Sequence, residues 1–130
     1  MPRLVCPDSQ GDAGPPSPDL EVFLDAAALP TRRVLQPNDA GDGWLFAKVG
    51  LYVRPDLTVE LSVDDETAAG ISYGRGERSP RVVLPRCTAM PGRWIVYTGG
   101  YYVRRPMCLP ITLRVQGAEA PARVAVGTGC

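Results

Sequence analysis

The sequence contains no histidine, the residue type that supplies most near-neutral general bases and many metal ligands. Its absence excludes Ser-His-Asp and Cys-His catalysis. Lysine occurs once, at Lys48, against thirteen arginines, and the fourteen basic side chains are balanced by fourteen acidic ones. A chain without net charge has no global field that attracts polyanions. We therefore predict a non-catalytic protein that uses no cofactor or metal ion and does not bind nucleic acid.

Long apolar runs are also missing, because no stretch approaches the length needed to cross a bilayer. Residues 1–30 lack the basic segment followed by an apolar run that is typical of an export signal. We predict no membrane insertion within this chain.

The sequence has four cysteines but no CxxC pair, so two disulfide bonds are favoured over a structural zinc site. These cysteines are Cys6, Cys87, Cys108 and Cys130. Disulfide bonds form in oxidising compartments, so we predict a secreted or cell-surface protein. If the cysteines are reduced, a cytoplasmic location is the alternative.

A length of 130 residues predicts one domain with a core of its own. Residues 6–19 are rich in Pro, Gly, Ser and Asp, so we interpret residues 1–19 as a flexible N-terminal arm or linker, which Cys6 would pin to the domain. Residues 20–130 then form a single β-sandwich domain. Residues 20–28 fit both a helical and an alternating pattern, and the β-rich context favours a strand.

Short β-rich runs alternate with turn residues from Thr31 to the end of the chain. The runs cover about residues 31–35, 44–54, 57–63, 70–73, 81–85, 93–104, 109–115 and 122–127. Many short strands at this spacing predict an all-β sandwich of the immunoglobulin-like or jelly-roll-like kind.

Two of these runs match each other. The segment WLFAKVGLYVRP at 44–55 aligns without a gap with WIVYTGGYYVRRP at 94–106, at an offset of 50 residues. The identities are Trp44 with Trp94, Gly50 with Gly100, Tyr52 with Tyr102, Val53 with Val103, and Arg54 with Arg104. Two copies cannot close a propeller, so we interpret them as an internal repeat in a pseudo-symmetric sandwich.

The matched residues allow two arrangements. If the strands run straight, the matched Trp, Gly, Tyr and Arg residues share one face and form an aromatic binding shelf. The binding residues would then be Trp44, Tyr52, Arg54, Trp94, Tyr102 and Arg104. The favoured alternative is that Gly50 and Gly100 mark β-bulges or bends, which would reverse the alternation and send both tryptophans into the core.

The cysteine pairing can be tested against a hairpin between residues 109–115 and 122–127. Placing residue 115 opposite 124 aligns the apolar faces and brings Cys130 beside Leu109, within one residue of Cys108. This register favours Cys108–Cys130 together with Cys6–Cys87. The alternative pairs Cys87 with Cys108, which leaves Cys6–Cys130.

Other segments suggest chemistry only weakly. The glycine-containing stretch at 72–79 has no strand-to-helix context and is predicted to be a turn instead of a phosphate cradle. The acidic stretches at 38–43 and 64–66 do not follow a calcium-binding pattern and are predicted to be solvated turns. Residues 104–111, RRPMCLPI, could present a protease-inhibitor loop, although a rigid strand-linking turn is favoured.

Residues 44–130, with GGYYVRRPMCLP and the terminal VGTGC, resemble small actinobacterial proteins that are secreted or membrane-tethered. Those proteins share a GGYYVRRPxCxP stretch and a terminal VGxGxC. The resemblance implies an exported domain, but it carries no activity and transfers no site residue. We predict a non-catalytic extracytoplasmic binding or structural module that contacts a protein or a cell-envelope component. The alternative is a secreted protease inhibitor that presents residues 104–111.

Overall fold

A computed structural model describes residues 3–74 and 76–130 of the chain. Met1, Pro2 and Arg75, the last of which belongs to the predicted turn at 72–79, lie outside the described residues. The secondary structure is almost entirely β, and the only helical turn in the described part is a 3-10 turn at Cys6–Asp8. No helix there has the length and apolarity to cross a bilayer. The strands are β1 (Asp12–Ala13), β2 (Glu21–Phe23), β3 (Ala27–Leu29), β4 (Val34–Leu35), β5 (Asn38–Gly41), β6 (Trp44–Lys48), β7 (Leu51–Val53), β8 (Val59–Val63), β9 (Ala69–Tyr73), β10 (Arg81–Leu84), β11 (Trp94–Tyr97), β12 (Gly99–Val103), β13 (Met107–Val115) and β14 (Ala118–Val126).

The strands form three sheets. Sheet I has the order β1-β11-β7-β3-β2, sheet II has β10-β8-β13-β14-β4, and sheet III has β5-β6-β12-β9. All three contribute to one hydrophobic core. Its largest fully buried side chains include Tyr73, Tyr97, Tyr101, Leu29, Leu61 and Leu113. The all-β prediction is confirmed, and the sheets pack in a sandwich-like arrangement.

The two segments that match in sequence are paired with each other. Strands β6 and β7 lie antiparallel to β12 and β11 in a single register, with Lys48 opposite Gly100 and Leu51 opposite Tyr97. We call residues 44–54 and 94–104 together the ribbon. Because β6 and β12 belong to sheet III and β7 and β11 to sheet I, the ribbon connects the two sheets.

The predicted bulges at Gly50 and Gly100 are wrong. The pairing on either side of these glycines keeps the same register, and odd-numbered side chains point into the core throughout the ribbon. For example, Leu51, Val53 and Ile95 are at most 3 % exposed. The even-numbered side chains therefore share the opposite, outward face. The chain passes from sheet III to sheet I between β6 and β7 without changing which side chains face the core.

The hairpin of β13 and β14 is longer than predicted, and its register differs by six residues. Val115 lies opposite Ala118 and not opposite Val124, because Gln116 and Gly117 form a two-residue turn with positive φ at both positions. The predicted runs leave residues 116–121, QGAEAP, as the connection between two strands. It includes the first half of β14, where Pro121 is tolerated because this part of the strand is an edge.

Two disulfide bonds hold the ends of the described chain. Cys108 is bonded to Cys130 with their Cα atoms 4.9 Å apart, and Cys6 is bonded to Cys87 with their Cα atoms 5.7 Å apart. These are the pairings that the predicted hairpin favoured. The hairpin register was wrong, but Cys108 still lies near the end of β14, close to where Cys130 follows.

The described part of the N-terminal segment lies along the domain. The Leu4 amide donates to the carbonyl of Val83 at 3.0 Å, and the Leu4 side chain belongs to the core. Strand β1 then pairs with β11 at the edge of sheet I. Residues 3–13 thus contact both sheet I and sheet II.

Two further segments refine the sequence predictions. Residues 20–29 form the β2–β3 hairpin, so the strand interpretation is confirmed over the helical one. Residues 38–43 were predicted to be a solvated turn, but Asn38–Gly41 is the fully exposed strand β5, and the turn into β6 is confined to Asp42 and Gly43.

Candidate functional site

The outward face of the ribbon carries all six residues predicted to bind a partner. At each end of the face, a tryptophan of one strand lies under an arginine of the other. The guanidinium carbon of Arg54 is 3.9 Å from the ring centroid of Trp94, and that of Arg104 is 3.8 Å from the ring centroid of Trp44. These distances are typical of cation–π contacts.

The tryptophans are buried by these arginines and not by the core. Trp44 is 5 % exposed and Trp94 is 4 % exposed, yet neither belongs to the core cluster. The sequence predictions offered either an exposed shelf or core tryptophans. The structure places the indoles on the outward face, covered by guanidinium groups, because the alternation is not reversed at the glycines.

Half-buried aromatic rings lie on the same face next to Trp44. Phe46 is directly opposite Tyr102 on the paired strand, and their ring centroids are 4.7 Å apart. Tyr102 also meets Trp44 edge to face, with the centroids at 6.2 Å. Such pairs stabilise a sheet face beyond the area that they bury. The result is a rigid aromatic surface whose outer edge remains accessible.

At the Trp94 end, the arginine charge is balanced within the chain. The Nη2 of Arg54 donates to the Asp25 carboxylate at 2.9 Å. Asp25 lies in the turn between β2 and β3, which is tied to the ribbon because the Arg54 amide donates to the Ala26 carbonyl at 2.8 Å. This end of the face is a closed arrangement of indole, guanidinium and carboxylate.

At the Trp44 end, a second arginine lies against the aromatic rings. The guanidinium carbon of Arg78 is 4.2 Å from the ring centroid of Trp44 and 5.7 Å from that of Tyr102. Its stem passes over Gly70, where a Cβ would lie 2.5 Å from the Arg78 Cγ. Arg104 donates from Nη1 to the backbone carbonyl of Asp42 at 2.7 Å. Among the described residues, neither Arg78 nor Arg104 forms an ion pair.

The residues with shifted pKa values lie away from this face. Burial raises the pKa of Tyr97 and of Tyr101 to about 12 each, as expected for core tyrosines. The pKa of Asp65 is lowered, first by the hydrogen bond from the Thr67 hydroxyl and then by the Thr67 amide. This carboxylate is therefore occupied in stabilising its own turn. Among residues 3–74 and 76–130, no three His, Cys, Asp or Glu side chains form a group that could hold a metal ion.

The segment at 104–111 is mostly part of a strand. Residues from Met107 onward belong to β13 and pair with β14, and Leu109 is 2 % exposed. The exposed residues of this segment are Arg104, Arg105 and Pro106, together with Pro110 within β13.

Comparison with protein-family models, with curated proteins and with solved structures gave no match. The site must therefore be interpreted from its own geometry. Sequence reasoning missed Arg78 and Asp25, which complete the two ends of the face. Neither residue carries a local signal, because each reaches the ribbon from a loop distant in sequence. The only sign of this contact in the sequence is Gly70, a residue of β9 that lies opposite Tyr102, at the place where the Arg78 stem crosses the sheet.

Proposed function

We propose that this chain is a non-catalytic extracytoplasmic binding module whose contact surface is the outward face of the ribbon. The observation that carries the proposal is the Trp44 end, where Arg78 and Arg104 lie over a half-exposed aromatic surface and form no ion pair with the described residues. Aromatic and arginine side chains are the residue types that contribute most to protein contact surfaces. The partner is a protein or a cell-envelope component.

The construction of the face supports recognition of a partner. Residues 45–48 and 51–53 of the ribbon are paired with residues 100–103 and 95–97, and the disulfide bonds hold segments that flank it. Side chains on such a frame lose little conformational freedom on binding, which lowers the free-energy cost of association. The two disulfide bonds also support an oxidising, extracytoplasmic location.

Co-sedimentation with isolated actinobacterial cell envelopes tests this function. We expect the purified, oxidised protein to pellet with the envelopes, and we expect Phe46→Ala and Arg104→Gln to reduce the bound fraction about tenfold or more. Arg123→Gln, an exposed arginine in sheet II, is the matched control and should bind as the parent chain does.

Envelopes treated with protease distinguish the two kinds of partner. Binding that survives the treatment indicates an envelope polymer, and binding that disappears indicates a protein. The proposal is overturned if the chain pellets with neither preparation, or if Phe46→Ala and Arg104→Gln bind as well as Arg123→Gln.

A further inference from the structure

The two ends of the ribbon face differ in one respect that points to a ligand. Each end has an indole covered by a guanidinium group, but among the described residues only the guanidinium at the Trp94 end forms an ion pair, which joins Arg54 to Asp25. At the Trp44 end, Arg104 donates a hydrogen bond to Asp42, but the acceptor is the backbone carbonyl and not the carboxylate. The Trp44 end therefore repeats the contact of indole and guanidinium, but no carboxylate of the described residues forms an ion pair there.

The guanidinium groups at the Trp44 end are positioned to donate hydrogen bonds outward. A guanidinium that lies over an aromatic ring is held by its flat face, while its N–H groups point along its edges. Arg104 uses Nη1 for the Asp42 carbonyl, and its remaining N–H groups form no further hydrogen bond with the described residues. Arg78 forms no hydrogen bond with those residues at all. Both guanidinium groups therefore keep unused donors beside the Trp44 ring.

Basic side chains also gather on this face, although Glu66 lines the same pocket as Arg78. Lys48, the single lysine of the chain, is exposed on the same outward face, opposite Gly100. Arg78 and Arg104 are exposed as well and unpaired within the described residues. Three cations on one face attract an anion, although the chain as a whole is neutral.

We propose that Arg78 and Arg104 form a binding site for an oxyanion, either a phosphate or a carboxylate group, in the position that Asp25 fills at the other end of the ribbon. The forked donors of arginine bind both groups through paired, charge-assisted hydrogen bonds. This inference deepens the proposed function and rests on the same face. It names the chemical group that the face would recognise on its partner.

The two indole N–H signals of the ¹⁵N-labelled chain provide a direct test, because Trp44 and Trp94 are its only tryptophans. The signals are assigned with Trp44→Phe and Trp94→Phe. The probes are inorganic phosphate and tripolyphosphate in one arm, and acetate and hexaglutamate in the other, all at constant ionic strength. We expect the Trp44 signal to shift saturably while the Trp94 signal stays in place, and the arm that binds more tightly identifies the group.

Substitutions separate the site from general charge effects. Arg78→Gln and Arg104→Gln should each weaken binding of the tighter probe about tenfold or more, because each removes charged hydrogen-bond donors. Arg104→Lys keeps the charge but loses the fork, so it should weaken binding as well. Gly70→Ala displaces the Arg78 stem without changing any charge and should have the effect of Arg78→Gln. Arg123→Gln is the control that should bind normally.

The proposal is overturned if neither kind of probe saturates, if both indole signals move alike, or if Arg78→Gln and Arg104→Gln bind as the parent chain does. The comparison of the two indole signals uses the unsubstituted protein, so it decides the question even where a variant fails to fold. Failure here is distinguishable from failure of the proposed function, because envelopes can still bind through Phe46 and Tyr102 when small anions do not.

Discussion

Gly50 and Gly100 occupy matching positions in the two similar segments, yet their surroundings differ. A Cβ added at Gly100 would collide with the carbonyl oxygen of Ala47 on the paired strand. A Cβ at Gly50 would lie 3.8 Å from the side chains of Tyr52 and Val96, which is an ordinary contact. The same residue type is therefore obligatory at one position and replaceable at the other.

We predict that Gly100→Ala lowers the free energy of unfolding by about 3 kcal/mol, because the backbone of β12 must move away from β6. Gly50→Ala is the matched control and should change stability by less than about 1 kcal/mol, since alanine gains strand propensity there. Urea denaturation of both variants under oxidising conditions measures the difference. Equal losses in the two variants would contradict the close approach at Gly100.

Part of one edge of strand β14 is unpaired, and a single residue protects this edge from pairing with another strand. Strand β4 pairs only with Ala125 and Val126, so residues 118–124 have no strand partner on that side among the described residues. Val115 and Ala118 flank a two-residue turn and form a hydrogen-bonded pair of the antiparallel ladder. The backbone groups of successive residues point to alternate sides of a strand, so the nitrogen of Pro121, three residues after Ala118, points to the open side. Proline therefore removes a donor from the middle of an edge that could otherwise recruit another strand.

Restoring that donor should promote association. We predict that Pro121→Thr makes the sedimentation coefficient rise more steeply with protein concentration than in the parent chain, because the open edge gains an N–H. Pro91→Thr, in the exposed loop before β11, is the control and should sediment as the parent chain does. Analytical ultracentrifugation is the measurement, and identical behaviour of the two variants would show that the edge is blocked in another way.

These elements also show which features of the fold can be predicted from the local sequence. The strand at Val59–Val63 could be predicted, because alternation of apolar residues is set by neighbours along the chain. The faces of residues 44–54 could not be decided in this way, since the favoured reversal at Gly50 is ruled out only by the pairing with residues 94–104. The start of β14 could not be predicted, since its first residues are small or polar and their strand conformation depends on pairing with β13. Arg78 was missed for a related reason, as its contact with Trp44 exists only once β9 has been placed beside β12.

For the whole molecule, the disulfide bonds differ in the length of chain that they close. Cys6–Cys87 spans 81 residues and Cys108–Cys130 spans 22. In the chain-entropy view, a longer closed loop restricts the unfolded state more strongly. The Cys6–Cys87 bond also holds Leu4 and β1 against the domain. Both effects make it the more important bond for stability.

We predict that replacing Cys6 and Cys87 together by serine costs about 4 kcal/mol of unfolding free energy, and that replacing Cys108 and Cys130 together costs about 3 kcal/mol. Urea denaturation of the two double variants, beside the parent chain, checks the order. A larger loss from the Cys108–Cys130 variant would mean that strain or packing at that bond outweighs the loop-length effect.

The positions of these bonds also determine how the molecule would carry a mechanical load. The shortest covalent path between its two ends passes from Cys6 to Cys87, along residues 87–108, and from Cys108 to Cys130. A force applied to both ends would therefore be transmitted along this path and not through most of the chain. It would place the segment that contains β11 and β12 under tension. That segment is one strand of the ribbon, so tension would act directly on the face that carries Trp94, Tyr102 and Arg104.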